Sequence, residues 1–288
     1  MWKANKPGTQ EYQRKVKEYR QDLKIAFVKV LALSLIHILL LAIVLFISGT
    51  MIGGFSELET LYDKGDFTIS LPITKTMDVT KEFTDIKNLE IQAEAGTVEL
   101  IEYEGSTIKV EAKNVSKKIK LYQEQNTLIV KDSFRFWHLI NVTDITTRIK
   151  IYIPNSYEFN KVELEVDAGE LIVPNLKAND VEIDVDAGSF KAENIIASYT
   201  KVDVDAGDAR INLLNSYRSE FNCDAGDIDA TMVGSESDYS YEVDSDVGDI
   251  SIGSYRSDGL SDEYSHSGGQ RKIEADCNVG SIRIKMEV

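Results

Sequence analysis

The chain is poor in the residues from which most reactive sites are built. Two cysteines and three histidines in 288 residues exclude a disulfide framework and a Cys/His zinc cluster of closely spaced ligand pairs. The histidines, His37, His138 and His266, stand far apart in sequence, which gives no support to triad or thiol-histidine chemistry. Basic residues are outnumbered 32 to 48, for a net charge of −16. That balance argues against nucleic acid as a partner. Long apolar runs are also lacking, with one exception.

The exception is Val30 to Ile52, 23 residues without a formal charge, where a membrane-crossing helix needs about 20. The spacing predicts a single transmembrane helix over 30–52. Residues 1–29 sum to +5 and the remainder to −21, so the positive-inside rule places the N-terminus in the cytoplasm and the chain after about Gly53 outside. The apolar region of a cleaved signal peptide is shorter, roughly 7–15 residues, and the segment is read as a retained anchor. Tyr12, Val16, Tyr19 and Leu23 recur at helical spacing among basic residues and extend that helix inward. The expected organisation is a basic cytoplasmic juxtamembrane segment (1–29), the transmembrane helix (30–52), a linker (53–82) marked by Gly53, Gly54, Gly65 and Pro72, and an extracytoplasmic domain (83–288). Such a chain is a single-pass cell-membrane protein with its bulk outside.

Beyond the linker a repeat takes over. The tripeptide Asp-Ala-Gly ends at Gly169, Gly188, Gly207 and Gly226, steps of 19 residues, and weaker copies end at Gly248 and Gly280. Aligned on glycine, apolar or small residues fill the positions five before (Leu164, Ile183, Val202, Phe221, Val243, Ala275), three before (Val166, Val185, Val204, Cys223, Ser245, Cys277) and one before (Ala168, Ala187, Ala206, Ala225, Val247, Val279). All three columns are expected to face inward. Apolar positions recur two and four after glycine, with a third at Leu176, Ile195, Leu214 and Val233. A period of two inside a period of 19 leaves no room for a packing helix, and predicts an all-β, right-handed parallel β-helix: a β-solenoid of about 19-residue coils. The tripeptide reads as a corner, with glycine supplying positive φ and alanine filling the inside of the bend. "LEIQAEAGTVEL" around Gly96 starts the series. The aromatic-rich insertion with Phe134, Phe136 and Trp137 is expected to cap the N-terminal end of the solenoid.

These features, "LEIQAEAGTVEL", "IYIPNSYEFNKVELEVDAGEL" and the repeated D-A-G-[DES] corners behind one membrane helix, resemble the bacterial putative-adhesin β-strand-repeat family, a domain of unknown function that includes LiaG-like envelope proteins of Gram-positive bacteria. The resemblance runs from Phe83 to Val288. It implies a right-handed β-helix outside the membrane and a link to adhesion or envelope stress, and brings no catalytic residues with it.

The outward columns carry the functional signal. Six, four and two residues before each glycine, fifteen of eighteen positions are acids, and neighbouring rungs about 4.8 Å apart set like charges side by side. Water and salt can offset that repulsion, as can bound divalent cations or a basic envelope protein or cell-wall polymer. Asp167, Asp186, Asp205 and Asp224 in one column, with Asp184 and Asp203 in the next, are the candidate ligands of a calcium ladder. The nonapeptide of calcium β-rolls is absent. The function expected is a non-enzymatic binding, adhesin-like or envelope-stress-sensing module. A carbohydrate-active enzyme on a parallel β-helix is the alternative, with Lys191 and Arg210 as its basic residues.

Two further expectations follow from coil counting. Cys223 and Cys277 occupy one inward column with Ser245 between them, so they should lie two rungs and about 9–10 Å apart, too far to bridge, as free buried thiols. The thirteen extra residues between Gly248 and Gly280 should form a loop, about 254–272, and the coil ending at Val288 should present an edge that this loop or a second copy covers.

Overall fold

The computed structural model describes residues 76–132, 147–257 and 261–288. Among them are eighteen strands: β1 (Thr76–Phe83), β2 (Asn88–Ala93), β3 (Thr97–Tyr103), β4 (Ile108–Ser116), β5 (Lys120–Glu124), β6 (Thr127–Lys131), β7 (Arg148–Pro154), β8 (Glu158–Val166), β9 (Glu170–Val185), β10 (Ser189–Val204), β11 (Asp208–Cys223), β12 (Asp227–Val233), β13 (Tyr239–Ser245), β14 (Asp249–Ile252), β15 (Tyr255–Arg256), β16 (Asp262–His266), β17 (Arg271–Cys277) and β18 (Ser281–Glu287). All are hydrogen-bonded into one sheet. The expected membrane helix, its basic preamble, and Phe134, Phe136 and Trp137 lie outside the described residues. Among those described, no helix is long and apolar enough to cross a membrane. Strand β1 begins at Thr76 and pairs with β4, so the folded domain takes in the last residues of the stretch read as linker.

The central coils keep the 19-residue step. Ser189 pairs with Asp208 and Val204 with Cys223 along β10 and β11, in parallel, and Ser189 pairs with Glu170 on the other side. Strands β9, β10 and β11 each run sixteen residues from one glycine corner to the next, so the coil has one sharp corner and a continuous sweep between. The columns five and three before glycine are buried throughout, as are those two and four after. The third apolar position holds at Leu176, Ile195 and Leu214. In the following coil it is taken by Met232 rather than Val233, because the register slips so that Leu214 meets Met232.

The corner is built differently from the expectation. Ala168, Ala187, Ala206 and Ala225 are exposed, as are Val279 at 54% and Val247 at 39%. The column just before glycine faces solvent. The chain turns there and the alternation of strand side chains breaks. The inside of the bend is filled instead by the residue three before glycine, on the neighbouring rung: Val166 Cγ1 lies where a Cβ on Gly188 would go, and Cys223 Sγ where one on Gly280 would. Positive φ is not the reason for these glycines. Gly96 has it, at 117°, but the six corner glycines from Gly169 to Gly280 do not. They are needed because each sits against the carbonyl of the glycine beneath, for instance Gly188 on Gly169 O, leaving no space for a side chain. Three backbone hydrogen bonds per step tie the corners together, such as Asp186 N to Val166 O, Ala187 N to Asp167 O and Ser189 N to Gly169 O.

Neither end of the stack follows chain order. Strand β11 pairs with β17, with Phe221 opposite Ala275 and Cys223 opposite Cys277. Strand β12 pairs with β18, and β13 and β14 lie on the far side of β17 and β18. The coil of 271–287 is therefore inserted between its two predecessors. The cysteines lie on adjacent rungs, not two apart, and the coil ending at Val288 is interior rather than an edge. The outer edge is β13 and β14, covered by antiparallel β16 and β15 from the long insertion. Charge at the corner and just after it favours this order. Stacking in sequence would set Asp224 against Asp246 and Asp227 against Asp249, like charges; the row six before glycine gains nothing, since Glu274 faces both Glu220 and Glu242. Insertion instead gives Asp224 the Asn278 amide at 2.6 Å, Asp227 the Ser281 hydroxyl and Asp229 the Arg283 guanidinium at 2.6 Å. The other end mirrors this: β2 lies between β6 and β8 and β3 pairs with both β7 and β9, with β1, β4 and β5 closing the stack by antiparallel pairing.

Candidate functional site: an acidic strip beside the corner

One side of the coil presents the strand segments that precede each glycine, and its outward columns separate into a neutralised one and two charged ones. Six before glycine, Glu163 and Glu182 share Lys161 at 2.5 and 3.1 Å. Glu220 and Glu274 share Arg218 at 2.7 and 3.3 Å, and Lys272 links Glu274 to Glu242. Lys161, Arg218 and Lys272 all stand eight before a glycine, a column that the repeat alignment stops short of. The columns four and two before glycine have less compensation. Asp203 has Lys201 at 2.5 Å and the Asn222 amide at 2.6 Å, and Glu165 has the Gln92 amide at 3.1 Å. Among the described residues, no salt bridge reaches Asp184, Asp276, Asp186 or Asp205.

The strip runs across Glu165, Asp184 and Asp203, in direct register, then Asn222, Asp276 and Asp244. Asp167, Asp186, Asp205 and Asp224 stand beside it on successive corners. All six candidate ligands named from the sequence thus lie on one surface, in two parallel rows. Shallow grooves of about 370 Å³, lined by Glu165, Asp184 and Asp203, and about 520 Å³, lined by Asp244, Glu263 and Asp276, mark the two halves. The carboxyls of Glu165, Asp184 and Asp276 are pushed above the ordinary carboxylate range, by partial burial first and by the neighbouring aspartates second. The ladder repulsion expected from the sequence is therefore present but is the smaller cause. Glu274 is held low by its hydrogen bond to Lys272. The carboxylates are strung along the strip rather than converging: among the described residues, no group of three or more acids, histidines or cysteines is placed to hold a metal ion.

The basic residues considered for glycan chemistry stand elsewhere. Lys191 pairs with Glu170 at 2.7 Å and Arg210 with Asp229 at 3.5 Å, on the strand segments after the corner. They do not join the strip. His266 stacks on Tyr241 with ring centroids 4.7 Å apart, in the aromatic cluster under β16.

The profile of the Toastrack DUF4097 family matches residues 86–233. Similar solved structures include a putative cell adhesion protein from Clostridium sporogenes, at 15% identity over 74% of this chain and 100% of that one with a TM-score of 0.41. A putative lipid binding protein from Parabacteroides distasonis has 13% identity over 73% and 97% with a TM-score of 0.36. A putative adhesin from Bacteroides fragilis has 11% identity over 73% and 98% with a TM-score of 0.30. No curated protein matches the chain.

Proposed function

The chain belongs to the Toastrack DUF4097 family, and from that premise we propose that it is a membrane-anchored, extracytoplasmic binding module, without catalytic activity, whose acidic strip receives a polycationic partner at the cell envelope. The anchor is the apolar run 30–52, and the coils wind right-handed, as parallel crossovers do. One observation carries the reading. The strip keeps two adjacent rows of carboxylates while the row next to them is neutralised by Lys161, Arg218 and Lys272. Carboxylates raised by their surroundings are relieved by a positive ligand. The repeat spacing of about 4.8 Å presents them as a linear array, suited to an extended chain of positive groups such as a basic protein segment or an amine-bearing wall polymer.

The full-length chain in uncharged phosphatidylcholine nanodiscs, titrated with a fluorescent oligolysine peptide, tests this. Saturable binding is expected, weakened about tenfold by Asp184→Asn with Asp186→Asn and Asp205→Asn, and weakened again by added sodium chloride. Equal binding by the triple variant would overturn the strip as the docking surface. Calcium in the same titration separates the cation classes: displacement of the peptide by calcium well below the sodium chloride concentration that achieves it would show the strip to be a metal surface instead.

A further inference from the structure

We propose that Cys223 and Cys277 are joined by an intrachain disulfide that latches the inserted coil, residues 271–287, into its slot. Three observations lead there. The two residues are direct register partners in parallel strands β11 and β17, so their Cα atoms lie about one rung, ~4.8 Å, apart, inside the roughly 4.4–6.8 Å that disulfides span. Both side chains point into the core at 2% and 0% exposure, in the same inward column. Their sulfurs are stacked along that column: Cys223 Sγ reaches up to Gly280, in the rung of Cys277, and Cys277 Sγ points on toward Gly248. A bond between them requires Cys277 to turn its sulfur about the Cα–Cβ bond back toward Cys223.

The thiols are free in this structure, and they are not equivalent. The neighbouring thiol and the backbone amides of Gly226 and Ser281 hold Cys223 below the ordinary thiol range, whereas Cys277 is pushed up by the same contact and by burial. That asymmetry belongs to the seated pair; while β17 is undocked either thiol can attack first. With a low-molecular-weight or protein disulfide as oxidant, the Cys223 thiolate attacks one of its sulfurs and expels a thiolate. The Cys277 thiol, deprotonated as it attacks Cys223 Sγ, expels the second. Two protein thiols become one disulfide, and the oxidant's disulfide becomes two thiols. Burial confines this exchange to the interval before β17 has seated, after which the bond closes a loop holding the entire outer coil and its covering strands. An exported domain meets the oxidising conditions the reaction needs.

The test uses the full-length chain, unfolded in urea and refolded in a glutathione redox buffer, then alkylated under denaturing conditions. The expected product is a monomer two hydrogens lighter, without alkylated cysteine. Its non-reduced digest contains the Cys223 peptide joined to the Cys277 peptide, and dithiothreitol lowers its urea midpoint. The Cys223→Ser and Cys277→Ser double variant should fold, with a midpoint indifferent to dithiothreitol. Two alkylated thiols after refolding, a bond between two chains, or a bridged monomer whose midpoint ignores dithiothreitol would each overturn the latch.

Discussion

Replacing Gly188 by alanine tests the corner directly. An added Cβ would sit 2.6 Å from Gly169 O and 2.5 Å from Val166 Cγ1. The valine methyl can rotate, but the carbonyl belongs to the backbone of the rung beneath. Restoring even a tight contact requires the rungs to part locally by about 0.4–0.8 Å, in an interior packed too densely to absorb it. That movement stretches the Ser189 N to Gly169 O bond from 3.0 Å toward a length at which it contributes little. Overpacking costs about 1–3 kcal/mol and the weakened hydrogen bond about 1 kcal/mol more. The expected loss is about 2–4 kcal/mol, read as a fall of roughly 1–2 M in the urea midpoint followed by circular dichroism. Asparagine sharpens the assay, because it tolerates positive φ better than alanine. If the corner demanded positive φ, Gly188→Asn would be the milder change; if the stacked carbonyl is the constraint, it is at least as harmful. Ala187→Ser, one residue away on the exposed column, should change stability by less than about 0.5 kcal/mol. A wild-type midpoint for Gly188→Ala, or a milder asparagine, would refute the stacking argument.

Two other outcomes are expected. The carboxyls of Glu165, Asp184 and Asp276 have folded pKa values above their unfolded ones, so their ionisation opposes folding. Stability should rise as pH falls through the raised values toward the ordinary ones. Glu274 and Asp229, held low by Lys272 and Arg283, act oppositely and withdraw their support as pH falls further, so urea midpoints should peak in mild acid; a monotonic fall from neutrality would contradict this. Asp184→Asn with Asp276→Asn should flatten the rising limb, by well under about 1 kcal/mol each because both groups are water-screened. Arg271 should be costly to lose, since its guanidinium donates to Ser216 O at 3.0 and 2.7 Å, Val233 O at 2.6 Å and Asn215 Oδ1 at 2.8 Å and lies 4.6 Å from the Tyr239 ring centre. Arg271→Ala should destabilise by about 2–3 kcal/mol, and an unchanged thermal midpoint would show that the clamp contributes nothing.

The coil was legible in the sequence because its inward columns repeat chemically as well as numerically: Leu164, Ile183, Val202 and Phe221 differ in shape but share burial. The corner alanines were not, since period-two reasoning fails where the chain bends, and their small size suits an exposed ridge as well as a cramped interior. Neighbour order was hidden for another reason. Spacing fixes which residues share a column but not which coil lies next to which. The signal that decides it is complementarity, Arg283 with Asp229 and Asn278 with Asp224, against the like charges that Asp246 and Asp249 would bring. The rows of the strip were visible as acids; their contrast with the neutralised row depends on Lys161, Arg218 and Lys272, two residues beyond the motif.

The inserted coil also sets an order in time. A solenoid whose coils stack in sequence can consolidate from one end as the chain emerges, each unit closing on the last. Here the native neighbours of β11 and β12 are β17 and β18, which come later in the chain than β13 and β14, so the native seats of β13 and β14 exist only once residues 271–287 have docked. Contacts across more than fifty residues, such as Asp229 with Arg283, come last and close slowly. A chain cut short before Arg271 would therefore forfeit two interfaces, not one, and carry an open parallel edge into whatever surrounds it.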